Sequence, residues 1–123
     1  MIGMAYVSVF QYFDKRANNM GFKQRPVLII GKADSSDYIV LPISRVTNSA
    51  NLDPYYDVEL LPSQFPLMSL TQTSYIRTHK QSVVNSAALT KMILDFKETY
   101  SEKYLEVLVK VEEFQKNMIG NAI

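Results

Sequence analysis

Apolar and polar residues alternate in two different rhythms along this chain, and the change falls near residue 85. Residues 4–13, MAYVSVFQYF, are rich in aromatic and β-branched types and predict a first strand. Asp14 to Phe22, DKRANNMGF, reads as a polar loop. Two apolar runs, residues 26–30 and 38–43, flank GKADSSD and predict a hairpin. Pro42 has no N–H to give to a ladder, so a bend or a sheet edge is expected there. RVTNSANLDP, residues 45–54, is a loop full of turn chemistry. Tyr56, Val58 and Leu60 then alternate with Asp57, Glu59 and Leu61, as in a half-buried strand with its carboxylates outward. LPSQFPLMSL is irregular, and QTSYIRTHKQSVV resumes an extended pattern in which Tyr75, Arg77 and His79 share a face.

From Asn85 onward the period becomes helical. Leu89, Met92, Ile93 and Phe96 form a stripe with Asn85 as its cap. Ser101 is expected to cap a second helix, SEKYLEVLVKVEEFQKNM, with Tyr104, Leu105, Leu108, Val109 and Phe114 inward and Gly120 as its stop. The expectation is one α+β, mainly β domain over 1–123, with a β-rich part at 1–84 and a helical part at 85–119. A small β-barrel or sheet capped by a C-terminal helix fits this order of elements.

Composition narrows the chemistry. The chain is 47% hydrophobic and 20% charged, which excludes a disordered or fibrous chain. Its net charge is +1, so any anion site must be built locally. Without cysteine there is no disulfide, thiolate zinc site or cysteine nucleophile. The N-terminus lacks a basic start and reads as a strand, not a signal peptide. No apolar run approaches the roughly 20 residues of a membrane span. A cytoplasmic protein without membrane contact is expected. One histidine, scattered carboxylates and four ungrouped glycines leave no metal cluster or phosphate-cradling loop, and no cofactor is expected.

One reaction class needs none of these. RNA carries its own nucleophile, the 2′-hydroxyl beside each phosphodiester. A protein that holds the strand for in-line attack need only stabilise the charge that grows on phosphorus. Arginine suits that task, because its donor fork matches two phosphate oxygens. Arg25 stands before the first hairpin strand and Ser44 closes the second. Antiparallel pairing brings the start of one strand beside the end of the next.

The stretches QRPVLIIG (24–31), YIVLPIS (38–44), SYIRTHKQSVVNSAAL (74–89) and SEKYLEVLVKVEEF (101–114) together resemble the MazF/PemK-like toxins of type II toxin–antitoxin systems. The resemblance spans nearly the whole chain, and the RPVLII…PIS pair is its most specific part. It implies a small SH3-like, MazF/PemK-type β-barrel with C-terminal helices, usually a homodimer. It also implies metal-independent cleavage of single-stranded RNA to a cyclic phosphate and a 5′-hydroxyl, with inhibition by a cognate antitoxin protein. Arg25 matches the arginine of the family's RP motif, and Ser44 matches its usual threonine. The family's Gly-Asp opening is replaced by Gly3-Met4, and residues 45–56 look longer than usual.

Other readings stay open at single positions. Arg25 alternatively pairs with a carboxylate such as Asp57, and Ser44 is alternatively a turn residue, with Thr47 taking its role if the register is shifted. Tyr75, Arg77 and His79 form either an RNA-contacting face, on which Arg77 and His79 are candidate catalytic residues with His79 as a general base, or a satisfied structural one. Lys15, Arg16, Lys23 and Gln24, beside Tyr12 and Phe13, suit a single strand of RNA or simply face water. The competing function is a catalytically inactive barrel that binds RNA or a protein partner.

Overall fold

The computed structural model describes residues 1–123. Seven antiparallel strands make one curled, half-barrel sheet: β1 (Met4–Asp14), β2 (Asn19–Lys32), β3 (Asp37–Ser44), β4 (Asp57–Leu60), β5 (Ser74–Arg77), β6 (Ser82–Asn85) and β7 (Leu89–Asp95). A one-turn helix, α1 (Phe96–Thr99), and a long one, α2 (Ser101–Ala122), follow. The order across the sheet is β4-β5-β3-β2-β1-β7, with β6 beside the first half of β3.

The hairpin runs are apolar without interruption because both of their faces are covered. Leu28, Leu41 and Ile43 point inward with Val58, Leu60 and Ile76, and meet Phe96, Tyr104, Val107 and Val111 from the helices. Val27, Ile29 and Val40 point the other way into a smaller cluster, screened by Tyr6, Phe10 and Tyr38. Burying each aliphatic side chain contributes about 1.5–3 kcal/mol. Phe65 closes the main core from the loop, its ring stacked on Phe96 at 6.5 Å and edge-on to Tyr100 at 4.9 Å. Gly3 starts the sheet with φ +90, a conformation that favours glycine, and ties β1 to its neighbours through Gly3 N–H to Ile29 C=O.

Three expectations are corrected. The first concerns the start of the helical part, 85–119: Leu89–Asp95 is strand β7, paired with β1. Two bulges, between Ala5/Tyr6 and Val7/Ser8, leave Ile93 and Thr90 without partners. Each extra residue breaks the period of two, and the result imitates a helical stripe. Asn85 does cap a turn, but a single 3-10 one, accepting from Ala87 N–H at 2.9 Å.

The second concerns α2. Ser101 is its first residue rather than its cap, and the helix runs through Gly120 to Ala122. Tyr104, Leu108 and Phe114 pack inward as expected, but Leu105 and Val109 are exposed, and Val107 and Val111 are buried in the core instead. The inward stripe is thus partly offset from the expected one.

The third concerns DKRANNMGF. The strands continue through it, pairing as far as Asp14↔Asn19. Asp14 accepts from Arg16 N–H at 2.9 Å and Asn18 takes φ 53, which closes the tip. Residues 9–14 of β1 and 19–24 of β2 therefore form a free two-stranded ribbon, since β7 pairs β1 only up to Ser8. Tyr12 covers Gly21 so closely that a Cβ there would lie 2.9 Å from its ring.

Candidate active site

Two prolines mark the point where β2 and β3 separate. Their ladder runs from Lys32↔Tyr38 to Val27↔Pro42 and ends there, because Pro42 has no donor to continue it. Beyond that pair, β2 continues through Pro26 into the ribbon. β3 turns instead to β5 through Ile43↔Ile76 and Ser44↔Tyr75. The sheet forks, with Arg25 on one prong and Ser44 on the other.

Register fixes the direction of both side chains. Paired residues share a face, and so do residues two apart on a strand. Arg25 follows Val27 and Ser44 follows Pro42, so both leave the sheet on the same side. A ladder two residues longer would pair them; here the strands diverge, and Ser44 pairs with Tyr75 instead. Arg25 is exposed and Ser44 half-buried. On its other side Arg25 pairs with Ser8, which is fully buried with a hydroxyl that has no hydrogen-bond partner. An unpartnered buried hydroxyl costs about 1–3 kcal/mol, and this one belongs to the cross-strand partner of Arg25.

A cleft of about 600 Å³ opens in the fork, on the inner side of the sheet. Gln24, Arg25 and Pro26 line one wall, and Ile43 and Arg45 the other, with Lys91 of β7 across the opening. Its 14 lining residues include three cations and no carboxylate. The chain's four ion pairs all lie elsewhere, so this positive charge is uncompensated in a protein of net charge +1. Ser69, Thr71 and Ser74 add hydroxyls. Gln72, with its amide turned to satisfy both groups, accepts from Arg45 at 3.0 and 3.2 Å.

The remaining candidates fall into three places. Tyr75 lies directly beside Ser44, and Lys23 lies one step along β2 from Arg25 with its ammonium 4.4 Å over the Tyr12 ring. Gln24 faces the cleft instead, Thr47 is exposed in the loop after β3, and Lys15 and Arg16 sit at the ribbon tip. Arg77 and His79 belong to a different constellation. Arg77 donates to Asp57 through Nε at 3.0 Å and Nη2 at 3.3 Å, and to the Asn51 carbonyl at 2.7 Å.

The partner in that pair corrects the alternation. Asp57 was expected to face water, yet its side chain is 0% exposed. It accepts from Asp53 N–H at 2.8 Å as well as from Arg77, which replaces its hydration. Nor does it pair with Arg25. His79 Nδ1 lies 3.9 Å from Asp57, and its ring packs against Tyr56 and Phe114. Burial holds the imidazole below its ordinary range even though Asp57 and Asp53 oppose that shift. Asp53 is held low by the N–H of Tyr56 above all, with Tyr55 adding to it against a desolvation penalty.

No group of three or more His, Asp or Glu residues converges in a metal-binding arrangement. Sequence reasoning did not mark Arg45, Lys91 or Ser8, which the fold brings close to the fork. Arg45 was legible as the neighbour of Ser44, but Lys91 was assigned to a helix, and Ser8 depends on cross-strand register. Neither a protein-family model nor a curated protein sequence matches the chain.

Proposed function

We propose that this chain is a toxin-like endoribonuclease that cleaves single-stranded RNA by 2′-hydroxyl attack, on an SH3-like barrel of the MazF/PemK type. The observation that carries the reading is the fork, whose register sets Arg25 and Ser44 on the same face of a rigid sheet. The curled, antiparallel sheet with its C-terminal helix supports this reading at the level of fold class.

In this mechanism the phosphodiester lies across the fork. The 2′-oxygen attacks phosphorus in line, its proton leaves, and the bond to the 5′-oxygen breaks as that oxygen takes up a proton. The products are a 2′,3′-cyclic phosphate and a 5′-hydroxyl. Arg25 donates its fork of N–H groups to the non-bridging oxygens as their charge grows, and Ser44 gives one further hydrogen bond. Lys23, two residues along β2 on the same face, extends the cationic track along the ribbon, while Arg45 and Lys91 line the cleft on the opposite, inner face. No metal ion enters these steps. A cognate antitoxin that covers the fork, a homodimer and a cytoplasmic site of action complete the reading.

The test is incubation of a long single-stranded RNA with the purified protein in EDTA, beside Arg25→Ala. Cleavage with cyclic-phosphate ends that falls on the order of 10²–10³-fold in the variant is expected. RNA left intact by the wild type at high enzyme would point to a barrel that binds RNA or a protein without cutting. Equal cutting by both proteins would remove Arg25 from the chemistry.

A further inference from the structure

Ser44 lies in a row of side chains that continues past it across the sheet. Ser44 pairs with Tyr75, and Tyr75 pairs with Glu59 on β4. All three leave the same face, because the alternating positions Ile43, Val58, Leu60, Ser74 and Ile76 are buried on the other one. Glu59 is exposed and Tyr75 half-buried, so the row is open to a ligand.

Both side chains are uncommitted. Glu59 takes part in none of the ion pairs. The cation one step along β5, Arg77, is bound to Asp57. Tyr75 belongs to none of the aromatic pairs of the chain. Reading outward from the phosphate-binding arginine, the order is guanidinium, hydroxyl, aromatic ring, carboxylate.

We infer that Tyr75 and Glu59 form a nucleobase subsite that selects guanine beside the phosphate held at the fork. This rests on the RNA-cleaving reading given above. Two strand spacings separate Glu59 from Ser44, about 10 Å, comparable to the span of one nucleotide from its phosphate to its base edge. Tyr75 supplies a stacking surface, which any base can use. Glu59 supplies the choice, because an ionised carboxylate accepts hydrogen bonds and cannot donate them. Guanine presents two adjacent donors on its Watson–Crick edge, N1–H and the N2 amino group, which match the two carboxylate oxygens. Adenine and cytosine each offer one amino donor beside an acceptor that would face the carboxylate, and uracil offers one N–H between two carbonyls.

The experiment measures equilibrium binding of short oligouridine probes carrying one guanosine, inosine or adenosine, with 2′-O-methyl groups that block cleavage. Wild type should bind the guanosine probe roughly 10- to 100-fold more tightly than the adenosine probe. Inosine, which keeps N1–H and lacks the N2 amino group, should fall between them. Glu59→Gln and Glu59→Ala, at an exposed position that leaves the core intact, should level the three affinities. Tyr75→Ala should weaken all three, while Tyr75→Phe should keep the ranking. Equal affinities in wild type, or an unchanged ranking in Glu59→Ala, would overturn the subsite while leaving RNA binding in place. No binding of any probe by wild type would overturn the RNA reading itself, and the subsite with it.

Discussion

Arg25 and Arg77 leave the same face of one sheet, yet the fold treats them in opposite ways. Arg77 is clamped by a fully buried Asp57 and by the Asn51 carbonyl, so three hydrogen bonds from its Nε and Nη2 join β5 to β4 and to the loop before it. The same corner carries His79, Tyr56 and Phe114, which fasten α2 to the sheet. Arg25 has no carboxylate partner and stands in a fork where the ladder has ended. A cation whose hydrogen bonds are satisfied holds structure together. One that the fold leaves unsatisfied keeps its binding capacity for a ligand, and the backbone around it must supply the rigidity that an ion pair would otherwise give.

The contrast can be broken at either end. The largest effect is expected at the clamp: Asp57→Ala leaves Arg77 uncompensated and should cost about 3–5 kcal/mol in urea unfolding. At the fork, Arg25→Ala should lower RNA cleavage on the order of 10²–10³-fold while unfolding changes by no more than about 0.5 kcal/mol. Parallel losses of stability and activity at Arg25 would erase the distinction between the two arginines. Ser44→Ala should slow cleavage about tenfold, the worth of one hydrogen bond to a charged group, and Ser44→Thr should retain the rate.

The smallest effect sharpens the comparison through pH. His79 is held below its ordinary value of 6.5 by burial, against Asp57 and Asp53 and alongside the cations Arg77 and Lys80. The unfolded chain then takes up this proton more readily than the folded one. Stability is complete above pH 6.5, declines as pH falls through the window below it, and levels off under the folded value. His79→Gln should flatten that decline in a pH series of denaturation midpoints. A further loss should begin below the ordinary 3.8 of Asp53, whose folded carboxyl is held lower by its hydrogen bonds. Equal pH dependence in wild type and His79→Gln would mean that the clamp titrates through other groups.

Local pattern made some of this legible and hid the rest. The hairpin of β2 and β3 was readable because each run is apolar throughout, and Pro42 announced the end of its ladder. The β1 half of the ribbon was read within the strand 4–13, but its partner was not, since residues 19–24 are nearly all exposed and carry no alternation of burial. Two bulges disguised β7 as a helix, and with it the cleft's Lys91. Asp57 kept the period of its strand but not the polarity, because the arginine that buries it lies 20 residues away. The pairing of Ser44 with Tyr75 and Glu59 likewise depends on which strands become neighbours. Arg25 and Ser44 could be placed on adjoining strands from the sequence because the strands that carry them are consecutive.

The pairing of β1 with β7 has a consequence for synthesis. The first strand made finds its second neighbour only among the residues from Leu89 to Asp95, which also bring Lys91 to the cleft. A ribosome must therefore produce about three quarters of the chain before that wall of the cleft exists, and contacts so distant in sequence form slowly. The nascent polypeptide carries Arg25 early but cannot assemble the whole site around it. The fork itself needs only β2, β3 and β5, so it can form before the cleft wall that β7 supplies.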